Sequence, residues 1–108
     1  MSPEEMPQVS DEELMMCNTL VIKAEYREEY LSELRRILPL ARRLPACISL
    51  EVGEVVSDPG TFVLSERWRS GSEYVNRILG LDFYRRYLEY TEPHYAVPRT
   101  VVVLQSVV

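Results

Sequence analysis

The 108-residue chain is long enough for one domain with one small core. Apolar residues make up 46% and charged residues 27%, with no apolar run long enough to cross a bilayer, so the composition is that of a soluble globular domain. The net charge of −5 is concentrated in residues 1–16, and the remainder holds 12 basic and 12 acidic residues, a balance that offers no field for nucleic acid or anionic lipid.

Residues 1–16 carry Glu4, Glu5, Asp11, Glu12 and Glu13, two prolines and no Lys or Arg. They read as a flexible acidic N-terminal tail ahead of a domain spanning 17–108. A basic n-region and an apolar h-region are both missing, so no signal peptide is expected here, and the expected location is cytoplasmic. Cys17 and Cys47 match no metal spacing.

"NTLVIKAEY", 18–26, alternates with Leu20, Ile22, Ala24 and Tyr26 on one face and reads as the first strand. "REEYLSELRRILPLARRL", 27–44, places Tyr30, Leu34, Ile37 and Ala41 on one helical stripe, with Pro39 expected to kink it or begin a new turn. "CISLEVGEVVS", 47–57, reads as a second strand with Ile48, Leu50 and Val52 inward and a bulge at Gly53. "SDPG" supplies a turn, because Pro fixes its φ and Gly tolerates a positive one, and "TFVLSERW", 61–68, returns as the third strand.

Ser70 and Glu73 have capping-box spacing, so a helix starts at Gly71 or Ser72 and stops near Gly80. A second helical piece, "LDFYRRYLEY", follows, and "RTVVVLQSVV", 99–108, is a final strand. The order βαββαβ predicts an α+β, ferredoxin-like fold. Its four-stranded antiparallel sheet should have the spatial order fourth, first, third, second, with both helices on one face. Val21, Val63, Val101 and Val103 are then expected on the opposite, apolar face, and a second copy of the sheet is the economical cover. Cys17 and Cys47 fall on strands that are not neighbours in this order, so they should not be bonded.

The first-strand register, "RRLPACISLEV", the Asp-Pro-Gly hairpin, "ERW" before the helix cap and the helix pair occur in this order. Together they resemble the antibiotic biosynthesis monooxygenase (ABM) domain of the dimeric α+β barrel superfamily. The resemblance covers roughly residues 18–107. It implies a homodimer through sheet faces, a pocket between sheet and helices and, in many members, oxidation of phenols or hydroquinones by O₂ with no cofactor. Other members are polyketide cyclases or isomerases. Trp68, with Tyr74 six residues later, resembles the quinone-forming branch, and Asn18 matches an Asn at the start of the first strand. The usual helix histidine is replaced by Arg77. The haem-degrading branch also needs a helix Trp, where Tyr87 stands, so haem degradation is set aside.

The chemistry asks for an aromatic pocket, a donor for an oxyanion and a group that moves a proton. Trp68, Tyr84, Tyr87 and Asn18 are candidates for substrate binding, and Tyr74, Arg77, His94 and Glu66 for catalysis, toward a small aromatic molecule. Each has a structural alternative. Trp68 can be a corner anchor, and Tyr74 and Tyr84 core residues. Arg77 can be an i,i+4 partner of Glu73, and His94 a loop residue. Glu66, on the face of Phe62, Leu64 and Trp68, is either an ion-paired carboxylate or a general base. The expected function is a cofactor-independent monooxygenase, with a non-oxidative cyclase or isomerase, or a ligand-binding module, as alternatives. Neither nucleic acid nor membrane is expected as a partner.

Overall fold

The computed structural model describes residues 9–108; residues 1–8, half of the expected tail, lie outside the described residues. The chain forms β1 (Leu14–Val21), α1 (Arg27–Arg42), β2 (Cys47–Glu54), β3 (Thr61–Trp68), α2 (Gly71–Asn76), α3 (Asp82–Thr91) and β4 (Thr100–Leu104). The antiparallel sheet has the order β2-β3-β1-β4, and its inner face packs on the helices, as the βαββαβ pattern predicts.

β1 begins at Leu14 rather than Asn18, three residues inside the segment read as tail. Leu14 pairs with Trp68 at the far end of β3, and Leu14 and Met16 continue the inward series through Asn18 and Leu20. Burying those two apolar side chains outweighs the acidic composition around them. Upstream, the backbone serves α2. The Gly71 and Ser72 N–H groups, two of the free donors of the helix start, bond the Glu12 and Ser10 carbonyls at 2.9 Å each. A Cβ on Gly71 would stand 2.7 Å from the Ser10 oxygen, so this docking needs glycine. At its other end β1 stops at Val21, and Ala24–Tyr26 form a 3₁₀ turn instead of more strand.

α1 runs unbroken through Pro39. Pro39 and Arg35, four residues earlier, are both exposed, so water can take the carbonyl that proline leaves unbonded. The irregularity in β2 falls at Ile48, between Cys47 and Ser49, and not at Gly53, which pairs regularly with Val63. Ile48 is accordingly half exposed rather than core.

β4 also corrects an expectation. Val101 lies opposite Asn18 and Val103 opposite Met16, so both are on the inner face; Val102 and Leu104 point outward. Val21 and Val63 do lie on the outer face, beside Thr61 and Thr19. In a run of valines alternation is silent, and only the pairing register assigns the faces. Met15, Cys17, Val21, Val63, Val102 and Leu104 form an outer apolar surface. Both cysteines are free, Cys17 on that outer surface and Cys47 opposite Trp68, with β3 between their strands.

The Arg27–Glu54 ion pair ties α1 to the β2–β3 hairpin. Arg27 donates to both Glu54 oxygens (2.8 and 2.6 Å), and the Gly60 N–H, at a φ of +94°, adds a third bond at 2.7 Å. The Arg27 hydrogen bonds, and then the Gly60 N–H, hold the Glu54 carboxyl down at about 2. A carboxyl depressed in the fold stabilises it above the unfolded value near 4.5 and loses that contribution as pH falls through about 2. The gap in urea midpoint between the wild type and Glu54→Gln should therefore be full at pH 6 and shrink as pH falls toward 2. A gap that stays constant over that range would contradict the pairing.

Candidate active site

Among the described residues, the buried polar side chains of the sheet's inner face, Asn18 and Glu66, form one cluster on the central strands. Glu66 and Trp68 are two residues apart on β3, so both face inward. The Trp68 indole N–H donates to Glu66 Oε1 at 3.1 Å. Asn18 on β1 donates through Nδ2 to Glu66 Oε2 at 2.5 Å, and its Oδ1 accepts from Arg99 Nη2 at 3.0 Å. A carboxylate on one side and a guanidinium on the other fix which way the Asn18 amide points.

Glu66 is 4% exposed. Burial is the dominant influence on its carboxyl and pushes it up to about 7, against the pull of the Trp68 hydrogen bond, the Arg99 charge and the Asn18 hydrogen bond. Such a group exchanges its proton near neutral pH, where an ordinary carboxyl is fully ionised.

Aromatic rings roof this group. Ser70 caps α2 by accepting the Glu73 N–H at 3.1 Å, which starts the helix so that Tyr74 lands on Trp68, ring centroids 4.9 Å apart. Tyr84 of α3 meets both rings edge-on at 6.3 and 6.5 Å. Farther along the face, Tyr87 and Tyr30 share a hydrogen bond at 2.9 Å, and Tyr30 packs on Phe62. Burial raises the Tyr74, Tyr84, Tyr87 and Tyr30 phenols well above their ordinary range, so they remain protonated.

Six of the eight sequence candidates thus converge: Glu66, Trp68, Asn18, Tyr74, Tyr84 and Tyr87. Two do not. Arg77, which caps the C-terminus of α2, is exposed and pairs with Glu73 at 2.8 Å, as does Arg69 at 2.7 Å. The Glu73 carboxylate, forked between two arginines, is held down at about 2 by Arg69 and then Arg77. His94 is buried, not in an open loop, but it belongs to a separate cluster. It stacks on Tyr26 at 4.7 Å, meets Tyr90 edge-on and has Glu29 at 3.7 Å.

Sequence reasoning missed Arg99 and Tyr30 as members of the group. Arg99 shares the parity of Val101 and Val103, so the correct inner-face assignment of β4 would have carried it inward too. Tyr30 was read only as core, and what it adds is the hydroxyl bonded to Tyr87.

An open groove of about 700 Å³ lies elsewhere, between the segment before β1, Arg67, Gly71 and the end of β4. None of the converging residues lines it, and its Arg67 is already paired with Glu13 at 2.6 Å. The buried Glu66 group, with its shifted carboxyl and aromatic walls, is the better candidate for chemistry. Among the described residues no cluster of His, Cys, Asp and Glu has the geometry to hold a metal ion.

A four-stranded antiparallel sheet in βαββαβ order, with its helices packed on one face, defines an α+β, ferredoxin-like domain of the kind the sequence resembles. The antibiotic biosynthesis monooxygenase family model matches residues 14–88, and the chain belongs to that family. It is similar to a crystal structure of an antibiotic biosynthesis monooxygenase, with 24% identity and a TM-score of 0.78 over 87% of this chain and 98% of that one. It is also similar to Rv0793 from Mycobacterium tuberculosis, with 20% identity and a TM-score of 0.79 over 88% and 95%. At these identities the structural likeness establishes the fold. None of the curated proteins matches the chain significantly.

Proposed function

We propose that the protein is a cofactor-independent monooxygenase that oxidises a small aromatic or polycyclic phenol or hydroquinone with O₂, using Glu66 as the base. The observation that carries this reading is the Glu66 carboxylate, buried against aromatic rings and poised near neutrality. Trp68 and Asn18 are both donors to it, so the group that complements it from a ligand is an O–H or an acidic C–H. Removing that proton creates the electron-rich anion that can reduce O₂. For an anthrone the balance is complete without another reductant: the CH₂ becomes C=O, one oxygen atom is retained and the other leaves as water. Trp68, Tyr74 and Tyr84 supply flat apolar walls for the ring, and Tyr87 lies farther along the same face, beside Tyr30.

In the described state these rings pack directly against one another, so substrate entry requires Tyr74 to separate from Trp68. The same base suits a non-oxidative cyclase or isomerase, because proton abstraction does not itself need O₂. The test is oxygen uptake by protein free of flavin, haem and metal, supplied with anthrone and hydroquinones. One O₂ consumed per quinone formed, with one atom of ¹⁸O₂ retained in the product and no H₂O₂ released, supports the proposal. Turnover that continues without air assigns the non-oxidative reading, and no turnover of any substrate across the panel rejects enzymatic oxidation.

The homodimer belongs to the same reading. The outer sheet face, with Val102 49% and Leu104 42% exposed, is the surface a second copy would cover. Equilibrium sedimentation should give twice the chain mass, and Val102→Lys should shift it toward the monomer. A wild-type monomer at micromolar concentration would remove this part.

A further inference from the structure

We infer that Arg99 is a positioning residue for Glu66, acting through the Asn18 side chain to hold the carboxylate ionised and oriented for proton transfer. This rests on the proposed role of Glu66 as base and adds how that base is controlled.

The geometry is a relay across two strands and the residue before β4. Arg99 Nη2 donates to Asn18 Oδ1, and Nδ2 of the same amide donates to Glu66 Oε2. Asn18 is 1% exposed, so its amide has no water to turn toward, and its two ends are claimed by opposite charges. An Asn donating to a carboxylate while accepting from a guanidinium has its dipole aligned with both, so each bond strengthens the other. Without the cation, Asn18 would lose the partner that keeps Nδ2 aimed at Glu66.

The surroundings leave Arg99 as the counter-charge. Facing Glu66 are Asn18 from β1, Cys47 from β2, Trp68 from β3, Tyr74 from α2 and Tyr84 and Tyr87 from α3. The thiol and the three phenols are pushed upward, chiefly by burial, and stay neutral. Arg99 is the cation in this set, and its charge favours the ionised carboxyl. The position follows from the sequence once the register is known. Residue 99 has the inward parity of Val101 and Val103, and its long side chain spans from the strand end to the middle of β1.

The test needs no substrate. In intact protein with ¹³C-labelled glutamate, the Glu66 carboxyl is assigned by its loss in Glu66→Gln and followed against pH. The wild-type midpoint should lie at about 7. Arg99→Met should raise the Glu66 proton affinity about tenfold, a shift of about one pH unit upward. Arg99→Lys should restore most of it. Arg85→Met, which removes an exposed cation paired with Asp82 on α3, should leave the midpoint in place and so exclude a general effect of net charge. If Arg99→Met does not fold, Arg99→Gln, which keeps a donor for Asn18 but no charge, should show a rise in the same direction but smaller than tenfold. An unmoved midpoint in the folded variant, or an equal shift in Arg85→Met, overturns the inference. Because this readout is independent of turnover, a shifted midpoint with no oxygen uptake would retain the relay and reject the monooxygenase reading.

Discussion

Glu66→Gln is expected to lower the rate of oxygen-dependent turnover of anthrone by about 10²–10⁴-fold, the range general-base catalysis contributes. Gln has nearly the same shape but no basic oxygen, so substrate binding should suffer less than turnover. In the wild type, kcat/KM should rise with pH and level off above about 7, as the carboxyl ionises. The same group has an opposite signature in stability. Its proton affinity is higher in the fold than in the unfolded chain, where the carboxyl titrates near 4.5. The folded state therefore holds more protons between pH 4.5 and 7, and stability falls as pH rises through that window. The loss is on the order of 3 kcal/mol at the plateau above 7. Urea denaturation of Glu66→Gln should lack this slope. A variant that retains full turnover would end the case for Glu66 as the base.

Trp68→Ala should be the most damaging substitution to the fold, costing about 3–5 kcal/mol, a large part of a domain's total of roughly 5–15. Trp68 is fully buried, and Tyr74 and Tyr84 both pack on its ring. Trp68→Phe separates packing from chemistry. It keeps much of the aromatic contact but deletes the indole N–H, which does most to pull the Glu66 carboxyl down from where burial would put it. The folded Phe variant should therefore show its pH–rate midpoint displaced above about 7. A midpoint unchanged in Trp68→Phe, measured on protein with native circular dichroism, would mean that Trp68 is an anchor alone.

How far the site could be read from the chain depends on the residue. Trp68, Tyr74 and Glu66 were legible because they sit at the end of a strand, or one capped turn beyond it. The choice between ion pair and base for Glu66 was not legible. It turns on how deeply the group is buried and on which atoms face it, and both are set by other strands. Arg77 and His94 are residue types that do chemistry, yet helix phase turns one to solvent with Glu73, and packing encloses the other beside Tyr26. Arg99 is not legible in the sequence because it adjoins "TVVVL", whose composition carries no facing information.

By itself the sequence determined the order of strands and helices, the hairpin at Asp58–Gly60 and the cap at Ser70, because periodicity and turn chemistry act over a few residues. The sheet order followed from the same βαββαβ pattern. Only the tertiary structure decided where β1 begins, which face β4 presents and which polar side chains meet beneath the aromatic rings. Each of those is fixed by the register between strands distant in the chain, and a shift of one residue would turn every side chain to the opposite face.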